Sequence, residues 1–230
     1  MAHAFWIVGT DTDIGKTFVT AHLMRFFQSS SKSVLPYKPI QTGLIAENNK
    51  QFYGDTEFYK SYSSVSLTEE HLNSYSFKEA ASPHYAAKLE GKMIEESIIL
   101  KKIEELQTLY DYVICEGAGG LFVPLDDQRN YQFIHLIKQS GLPVVLVTRT
   151  GLGTINHTLL SVEALKTNNI PLLGLVFNGY EGTNIEKNNI ETITQIISMP
   201  SLIVPKLESV DDLKQLRAEN TEFYERISSK

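Results

Sequence analysis

The sequence predicts an α/β fold in which a single doubly wound, mostly parallel sheet carries helices on both faces. Short apolar runs rich in β-branched and aromatic residues, which are typical of strands, alternate with longer segments whose apolar residues recur at helical spacing. The strand segments are apolar throughout, which indicates a sheet that is covered on both faces. The 230 residues are within the size of one domain, so we expect residues 1–230 to form a single domain.

The predicted elements alternate along the chain. The first strand spans residues 4–8 and ends at Gly9, and the first helix spans residues 16–28. The later strands are predicted at residues 34–37, 112–115, 144–148, 172–177 and 202–204. The later helices are predicted at residues 94–109, 131–139, 155–167 and 185–197, with a polar helix at the C-terminus.

Residues 43–82 differ from the rest of the chain. This segment is rich in serine, tyrosine and charged residues, and its apolar periodicity is weak. Ligands of parallel α/β sheets bind outside the carboxyl ends of the strands. We therefore expect residues 43–82 to form a polar excursion over that face of the sheet and not a second domain.

Composition excludes several classes of protein. The chain has 27 acidic and 21 basic side chains, a net charge of −6, which argues against nucleic-acid binding. The apolar runs are too short to span a membrane, and no basic segment precedes the first of them as in a signal peptide. The single cysteine excludes an internal disulfide and a cysteine-based zinc cluster. We expect a cytoplasmic protein that binds neither membrane nor nucleic acid.

Residues 9–17 (GTDTDIGKT) follow the first strand and open the first helix. A glycine-rich turn at a helix N-terminus directs backbone N–H groups at phosphate oxygens. Lys16 can then reach the β- and γ-phosphates of a nucleotide, and the Thr17 hydroxyl can bind Mg²⁺. Five residues separate the glycines where the usual motif has four, and the simpler interpretation is a Gly-Lys-Thr that only caps a helix. With this strand–loop–helix context, the segment predicts a fold similar to that of the P-loop NTPases.

Charged residues at other strand ends extend this pattern. Glu116 follows strand 112–115 and opens a predicted turn at residues 116–119, where a carboxylate can bind a metal ion. Lys38 ends the second strand and can neutralise a phosphoryl group in transit. Asp55 can complete a magnesium shell. The alternatives are a solvated loop carboxylate at Glu116 and a solvent-facing lysine at Lys38.

Other conspicuous residues are predicted to have structural roles and not catalytic or metal-binding ones. Cys115 lies in an apolar strand and is predicted to be a core residue. The six histidines lack metal-ligand spacing. A group of aromatic residues within the excursion is predicted to pack locally: Phe52, Tyr53, Phe58, Tyr59 and Tyr62.

Five segments follow one another along the chain: residues 9–17 (GTDTDIGKT), 37–43 (YKPIQTG), 82–84 (SPH), 116–120 (EGAGG) and 153–157 (GTINH). In this order they resemble the motifs of the dethiobiotin synthetase family. The resemblance spans roughly residues 5–207. It implies a homodimeric, ATP-dependent ligase of biotin biosynthesis that uses Mg²⁺ and converts 7,8-diaminononanoate and CO₂ into dethiobiotin, through a carbamate and a carbamic–phosphoric anhydride.

The resemblance also implies roles for individual residues. Mg²⁺ would be held by Thr17, Asp55 and Glu116, and the catalytic residues would be Lys16 and Lys38. The substrate would contact Thr12, Lys38, Thr42 and, across a dimer interface, Thr154 and Asn156. ATP would contact Asp13, Ile14, Gly15, Lys16, Thr17, Phe18, Asp55, Glu116, Gly117, Ala118, Gly119, Asn178, Gly179, Val204, Pro205 and Lys206.

Two other classes share the phosphate loop. An amidotransferase-type synthetase acting on corrin carboxylates needs a glutaminase portion with a nucleophilic cysteine, and the one cysteine here lies in a predicted core strand. A switch ATPase of the partitioning or cell-division type carries a second lysine near the start of the loop, where this chain has Thr10 and Asp11. Such ATPases also often use a membrane-targeting amphipathic tail, and residues 211–225 are too acidic for anionic lipid.

Overall fold

The computed structural model describes residues 3–206 and 220–229. In this part of the chain the strands are β1 (His3–Gly9), β2 (Val34–Tyr37), β3 (Ile40–Thr42), β4 (Leu44–Glu47), β5 (Lys50–Tyr53), β6 (Tyr75–Phe77), β7 (Tyr112–Gly120), β8 (Pro124–Asp126), β9 (Tyr131–Gln132), β10 (Val144–Thr148), β11 (Leu172–Tyr180) and β12 (Ser201–Pro205). The helices are α1 (Lys16–Gln28), α2 (Gly54–Tyr62), α3 (Glu69–Leu72), α4 (Pro83–Leu89), α5 (Glu96–Leu109), α6 (Phe133–Ser140), α7 (Thr154–Thr167), α8 (Asn184–Ile197) and α9 (Thr221–Ser228).

Six of the strands form the central sheet in the order β12-β11-β10-β1-β7-β2. Every neighbouring pair in it is parallel. The chain builds outward from β1 to one edge at β2, returns through β7, and then adds β10, β11 and β12 on the other side. The carboxyl ends of β1, β2 and β7 therefore meet at one edge of the sheet, which is where ligands of such sheets bind.

Helices cover both faces of this sheet. Trp6 and Val8 of β1 face a core built with α5, α6, α7 and α8. Phe5 and Ile7, the alternate residues of the same strand, face a second core built with α1, α2 and α9. Because successive strand residues point to opposite faces, two cores on one strand confirm the doubly wound prediction.

Most element boundaries agree with the sequence prediction. Helix α1 begins and ends at the predicted residues, and α5, α6, α7 and α8 begin within two residues of theirs. The exceptions are β7 and β11, which continue to Gly120 and Tyr180. Residues 116–119, which were predicted to form a turn, lie within β7; Glu116 pairs with Ile7 and Gly120 pairs with Gly9, and the register shifts between these two pairs.

The excursion of residues 43–82 contains more regular structure than the sequence predicts. It holds the antiparallel hairpin of β4 and β5, helices α2 and α3, and β6, which pairs with β3. Its apolar side chains join both cores, with Leu72 and Phe77 on one face of the sheet and Tyr59 on the other. None of the described helices has the length and apolar character needed to cross a lipid bilayer.

Candidate active site

The loop between β1 and α1 has the backbone of an anion-binding turn. Gly15 adopts φ 87°, a left-handed conformation that favours glycine. A Cβ at this position would lie 2.0 Å from Nδ2 of Asn178, which donates a hydrogen bond to the carbonyl of Ile14 at 2.9 Å. Asn178 at the end of β11 thus braces the loop at a point where the chain has no room for a larger residue.

Lys16 is held inside this loop. Its side chain is 6% exposed, and its Nζ donates to the backbone carbonyl of Asp11 at 2.8 Å. Burial, with a contribution from the charge of Lys38, lowers the pKa of Lys16 to about 8, although nearby carboxylates oppose the shift. Lys16 is therefore a desolvated cation that loses its proton at a lower pH than an exposed lysine does.

A buried ion cluster joins β2, β7 and α2. Lys38 Nζ lies 2.6 Å from Oε1 of Glu116, 2.8 Å from Oδ2 of Asp55 and 3.1 Å from the carbonyl oxygen of Gly117. Burial alone would lower the pKa of Lys38, but Glu116 and Asp55 outweigh it and raise that pKa. Burial likewise opposes ionisation of Asp55, and Lys38 outweighs it and lowers the pKa of that carboxyl group. Lys38 and Asp55 are therefore both charged at neutral pH.

Thr17 connects the phosphate loop to this cluster. Its hydroxyl oxygen lies 2.8 Å from Oδ1 of Asp55 and 2.8 Å from Oε1 of Glu116. Two carboxylates and one hydroxyl form an all-oxygen donor set, which suits Mg²⁺ when water and phosphate oxygens complete its shell. In the described part of the chain, no group of three or more His, Cys, Asp or Glu side chains is placed to hold a metal ion. The residues thus fit a metal that binds together with a nucleotide.

Tyr59 is a site residue that the sequence analysis missed. It is fully buried, and its hydroxyl donates to Oε2 of Glu116. Burial, together with the charges of Glu116 and Asp55, raises the pKa of Tyr59 well above its usual value, so the phenol keeps its proton and acts as a donor. The available signal was its spacing of four residues from Asp55, which places both side chains on the same face of α2.

An open cavity of about 870 Å³ lies over these groups. It brings together the predicted site residues Thr12, Asp13, Gly15, Lys16, Thr17, Phe18, Lys38, Thr42, Asp55, Glu116, Ala118 and Gly119. Residues 80–83 close part of its wall and include Ser82 and Pro83 of the third motif. Two further predicted residues do not line the cavity but bond to residues of the site through their backbones: the carbonyl of Gly117 accepts from Lys38, and the carbonyl of Ile14 accepts from Asn178.

The predicted adenine-side residues lie outside this cavity. Asn178 and Gly179 end β11, and β12 pairs beside them with Val204 opposite Asn178. The side chain of Val204 is buried in the core. Pro205 follows, and Lys206 forms an ion pair with Glu181 at 2.5 Å. These residues lie together at the carboxyl ends of β11 and β12, and their contacts with ATP stay predictions.

The predicted substrate residues of α7 are also separate from the cavity. The Thr154 side chain is fully buried, and its hydroxyl donates to the carbonyl of Arg149 at 2.6 Å. The contact of Thr154 with the substrate stays a prediction. Asn156 is exposed on the first turn of the helix. Its predicted role depends on a second copy of the chain.

The parallel sheet, the phosphate loop and the buried lysine at its end define the class of P-loop nucleotide-binding proteins. Solved structures agree. The septum site-determining protein MinD of Pyrococcus horikoshii, complexed with Mg-ADP, matches with a TM-score of 0.60 and 16% identity over 99% of this chain and 95% of its own. A ParA family ATPase of Chlorobium tepidum matches with a TM-score of 0.55 and 14% identity, over 98% and 92%.

Sequence comparison then identifies the family. The model of a family described as an AAA domain matches residues 3–217. The ATP-dependent dethiobiotin synthetase BioD of Lysinibacillus sphaericus is 53% identical over 97% of this chain and 95% of its own length. The protein of the same name from Clostridium acetobutylicum is 40% identical over 86% and 83%. The chain belongs to the ATP-dependent dethiobiotin synthetase family.

The two alternative classes gain no support. MinD and ParA are similar to this chain in fold, at identities that carry no functional likeness, and Thr10 and Asp11 still occupy the place of the second lysine. Most of the acidic segment 211–225 lies outside the described residues. Cys115 is fully buried in β7, and burial raises the pKa of its thiol, which is the opposite of what a nucleophile requires. Its prediction as a core residue is confirmed.

Proposed function

We propose that this chain converts 7,8-diaminononanoate, CO₂ and ATP into dethiobiotin, ADP and phosphate. The observation that supports it most is the convergence of Lys16, Lys38, Thr17, Asp55 and Glu116 on one cavity, in a member of the dethiobiotin synthetase family. We further propose that residues 1–230 act as one domain in the cytoplasm. ATP serves as co-substrate.

Mg²⁺ is proposed to bind at Thr17, Asp55 and Glu116. When bound with the nucleotide, the ion supplies positive charge that neutralises the phosphate oxygens. These three side chains bond to one another and to Lys38. A cation held by the three would replace Lys38 beside the carboxylates, and Lys38, which already lines the cavity, would then be free to turn its Nζ toward an incoming carbamate or γ-phosphate.

The proposed reaction is one of positioning and charge neutralisation. One amine of the substrate adds to CO₂ and loses a proton, giving a carbamate. A carbamate oxygen attacks the γ-phosphorus of ATP and ADP departs, and the second amine then attacks the carbonyl carbon and expels phosphate as the ring closes. Lys16 and Lys38 stabilise the negative charge that spreads over the transferred phosphoryl group. Thr12 and Thr42 line the same cavity and are proposed to hold the substrate chain.

A homodimer is proposed because the substrate also carries a carboxylate, which needs a partner away from the two lysines. The N-terminus of α7 suits an anion, and Asn156 is exposed there. Leu152 and Leu160, which flank it, are 92% and 62% exposed. Apolar side chains exposed on the same segment support its burial against a second copy.

The test is phosphate release from Mg·ATP with bicarbonate, measured with and without 7,8-diaminononanoate, alongside dethiobiotin by mass spectrometry. We expect release that depends on the diamine, with one dethiobiotin formed for each phosphate. Slow release that ignores the diamine would overturn the proposed reaction and leave only nucleotide binding. Light scattering of the same sample tests the dimer, and a monomer mass would contradict the proposed carboxylate site.

A further inference from the structure

The carboxylate of Glu116 has a different set of partners on each of its oxygens. Oε1 accepts hydrogen bonds from Lys38 Nζ at 2.6 Å and from the Thr17 hydroxyl at 2.8 Å. Oε2 accepts a hydrogen bond from the hydroxyl of Tyr59. The partners of Oε1 line the cavity, whereas Tyr59 is fully buried behind it. The two oxygens therefore face a ligand site and the protein interior respectively.

Tyr59 reaches Glu116 because of its position on α2. Asp55 and Tyr59 are four residues apart and so lie on the same face of that helix. Asp55 directs its carboxylate to Lys38 and Thr17, and one turn later Tyr59 directs its hydroxyl to Glu116. Helix α2 thus contacts the ion cluster at two points, one of which is neutral.

The hydrogen bond from Tyr59 to Glu116 would persist when a cation binds, whereas the contacts of Lys38 and Thr17 with Glu116 would be lost. A cation between Thr17, Asp55 and Glu116 would displace the hydroxyl proton of Thr17 and the Nζ of Lys38 from Oε1. Tyr59 donates to the other oxygen, Oε2, and is fully buried in the core cluster that includes Ile114 and Val19, so a cation at Oε1 would leave this hydrogen bond in place. A carboxylate with one oxygen anchored presents the other in a single orientation.

We propose that Tyr59 is a positioning residue for Glu116: its hydroxyl anchors Oε2 and thereby directs Oε1 at the divalent cation of the bound nucleotide. This inference rests on the proposed metal role of Glu116. Residues that orient a metal ligand typically change metal affinity about 10- to 100-fold when they are replaced, because the ligand then samples unproductive orientations. Tyr59 itself touches neither metal nor substrate.

The experiment compares wild type with Tyr59→Phe, which removes only the hydroxyl. The matched control is Tyr224→Phe, because Tyr224 is a buried tyrosine of the same core whose hydroxyl lies 2.6 Å from Nε2 of His22, away from the cavity. ADP binding is measured calorimetrically in excess Mg²⁺ and in EDTA. The readout is the ratio of the two affinities, together with the melting temperature of each variant.

We expect Mg²⁺ to strengthen ADP binding by wild type and by Tyr224→Phe to the same extent, and the gain to shrink about tenfold in Tyr59→Phe. The affinity in EDTA should be equal in all three proteins. An unchanged gain in Tyr59→Phe, or an equal loss in both variants, would overturn the positioning role in favour of core packing. No gain in wild type would instead overturn the metal site itself.

Discussion

Two polar groups of side chains lie at the carboxyl edge of the same sheet and differ in how they are satisfied. The charged cluster consists of Lys16, Lys38, Asp55 and Glu116, and it lines the cavity. The threonine cluster consists of Thr10, Thr148, Thr154 and Thr158. The hydroxyl of Thr148 lies 2.9 Å from that of Thr154, 2.8 Å from that of Thr158 and 3.4 Å from that of Thr10.

The difference shows which buried polar groups are prepared for a ligand. The threonine cluster is neutral, and its hydroxyls bond to one another and to the carbonyl of Arg149. Removing a charge from water is energetically unfavourable, and for this reason burial lowers the pKa of Lys16. A nucleotide and its cation bring charges that can replace the internal partners of the charged cluster. We therefore expect changes in the charged cluster to affect function and changes in the threonine cluster to affect stability.

The largest effect is expected from Lys38→Met, which keeps the length of the side chain and removes its charge. Turnover should fall at least about 10³-fold, since the phosphoryl group in transit loses a preorganised cation. Affinity for ADP should stay within about threefold, because Lys16 and the loop backbone remain. Dethiobiotin formation and ADP calorimetry measure the two quantities. Turnover at the wild-type rate would remove Lys38 from the reaction.

The second prediction concerns Lys16 and pH. The free protein loses the Lys16 proton as the pH rises through about 8, whereas bound phosphates favour the charged form. ATP affinity should be level below about pH 7 and fall up to about tenfold per pH unit above 8, with proton uptake on binding. Calorimetry in buffers of different ionisation enthalpy measures both. In Lys16→Arg the side chain keeps its charge, so the fall should vanish. A level wild-type profile up to pH 9.5 contradicts the prediction.

A smaller effect is expected at Glu186, a buried carboxylate whose hydrogen-bond donors are uncharged. Burial alone would raise its pKa, but hydrogen bonds from Thr150 at 2.5 Å and from the backbone and side chain of Thr183 at 2.9 Å outweigh burial and lower it to about 2. The folded pKa lies below the unfolded value, so this carboxylate stabilises the fold above about pH 4.5 and ceases to do so as the pH falls toward 2.

Glu186→Gln should therefore lower the free energy of unfolding at pH 7 by about 1–3 kcal/mol. The difference from wild type should narrow at pH 3.5, and turnover at pH 7 should be unaffected. Urea unfolding at the two pH values measures the difference. A gap of the same size at both would mean that the charge of Glu186 plays no part.

The smallest effect is expected from Thr148→Val, which removes the central hydroxyl of the threonine cluster at nearly constant volume. Thr154 keeps the carbonyl of Arg149, but Thr158 loses its partner at 2.8 Å. Stability should fall by about 1–2 kcal/mol, and turnover should stay within about threefold of wild type. A loss of turnover comparable to that of Lys38→Met would erase the distinction between the two clusters.

The sheet and its helices were predictable because their signals are local. Helix α1 occupies the predicted residues, and the strands of the central sheet start within one residue of theirs. Helix α2 was missed because, of its nine residues, only Thr56 and Tyr59 are buried, too few for an apolar period. The extension of β7 was missed because Gly117 and its neighbours have low strand propensity, and the strand regains a partner on β1 only at Gly120, which pairs with Gly9.

The candidate site likewise contains one part with a local sequence signal and another part that depends on contacts between distant residues. The phosphate loop could be predicted from the sequence, because Gly15, Lys16 and Thr17 act through a strand–loop–helix whose geometry is contained in nine residues. The pairing of Lys38 with Glu116, 78 residues away, could be seen only in the folded chain, as could the hydrogen bonds of Tyr59 to that carboxylate and of Thr154 to the carbonyl of Arg149. Electrostatic energies depend on separation and burial, and neither is encoded in the local pattern of residues that are distant along the chain.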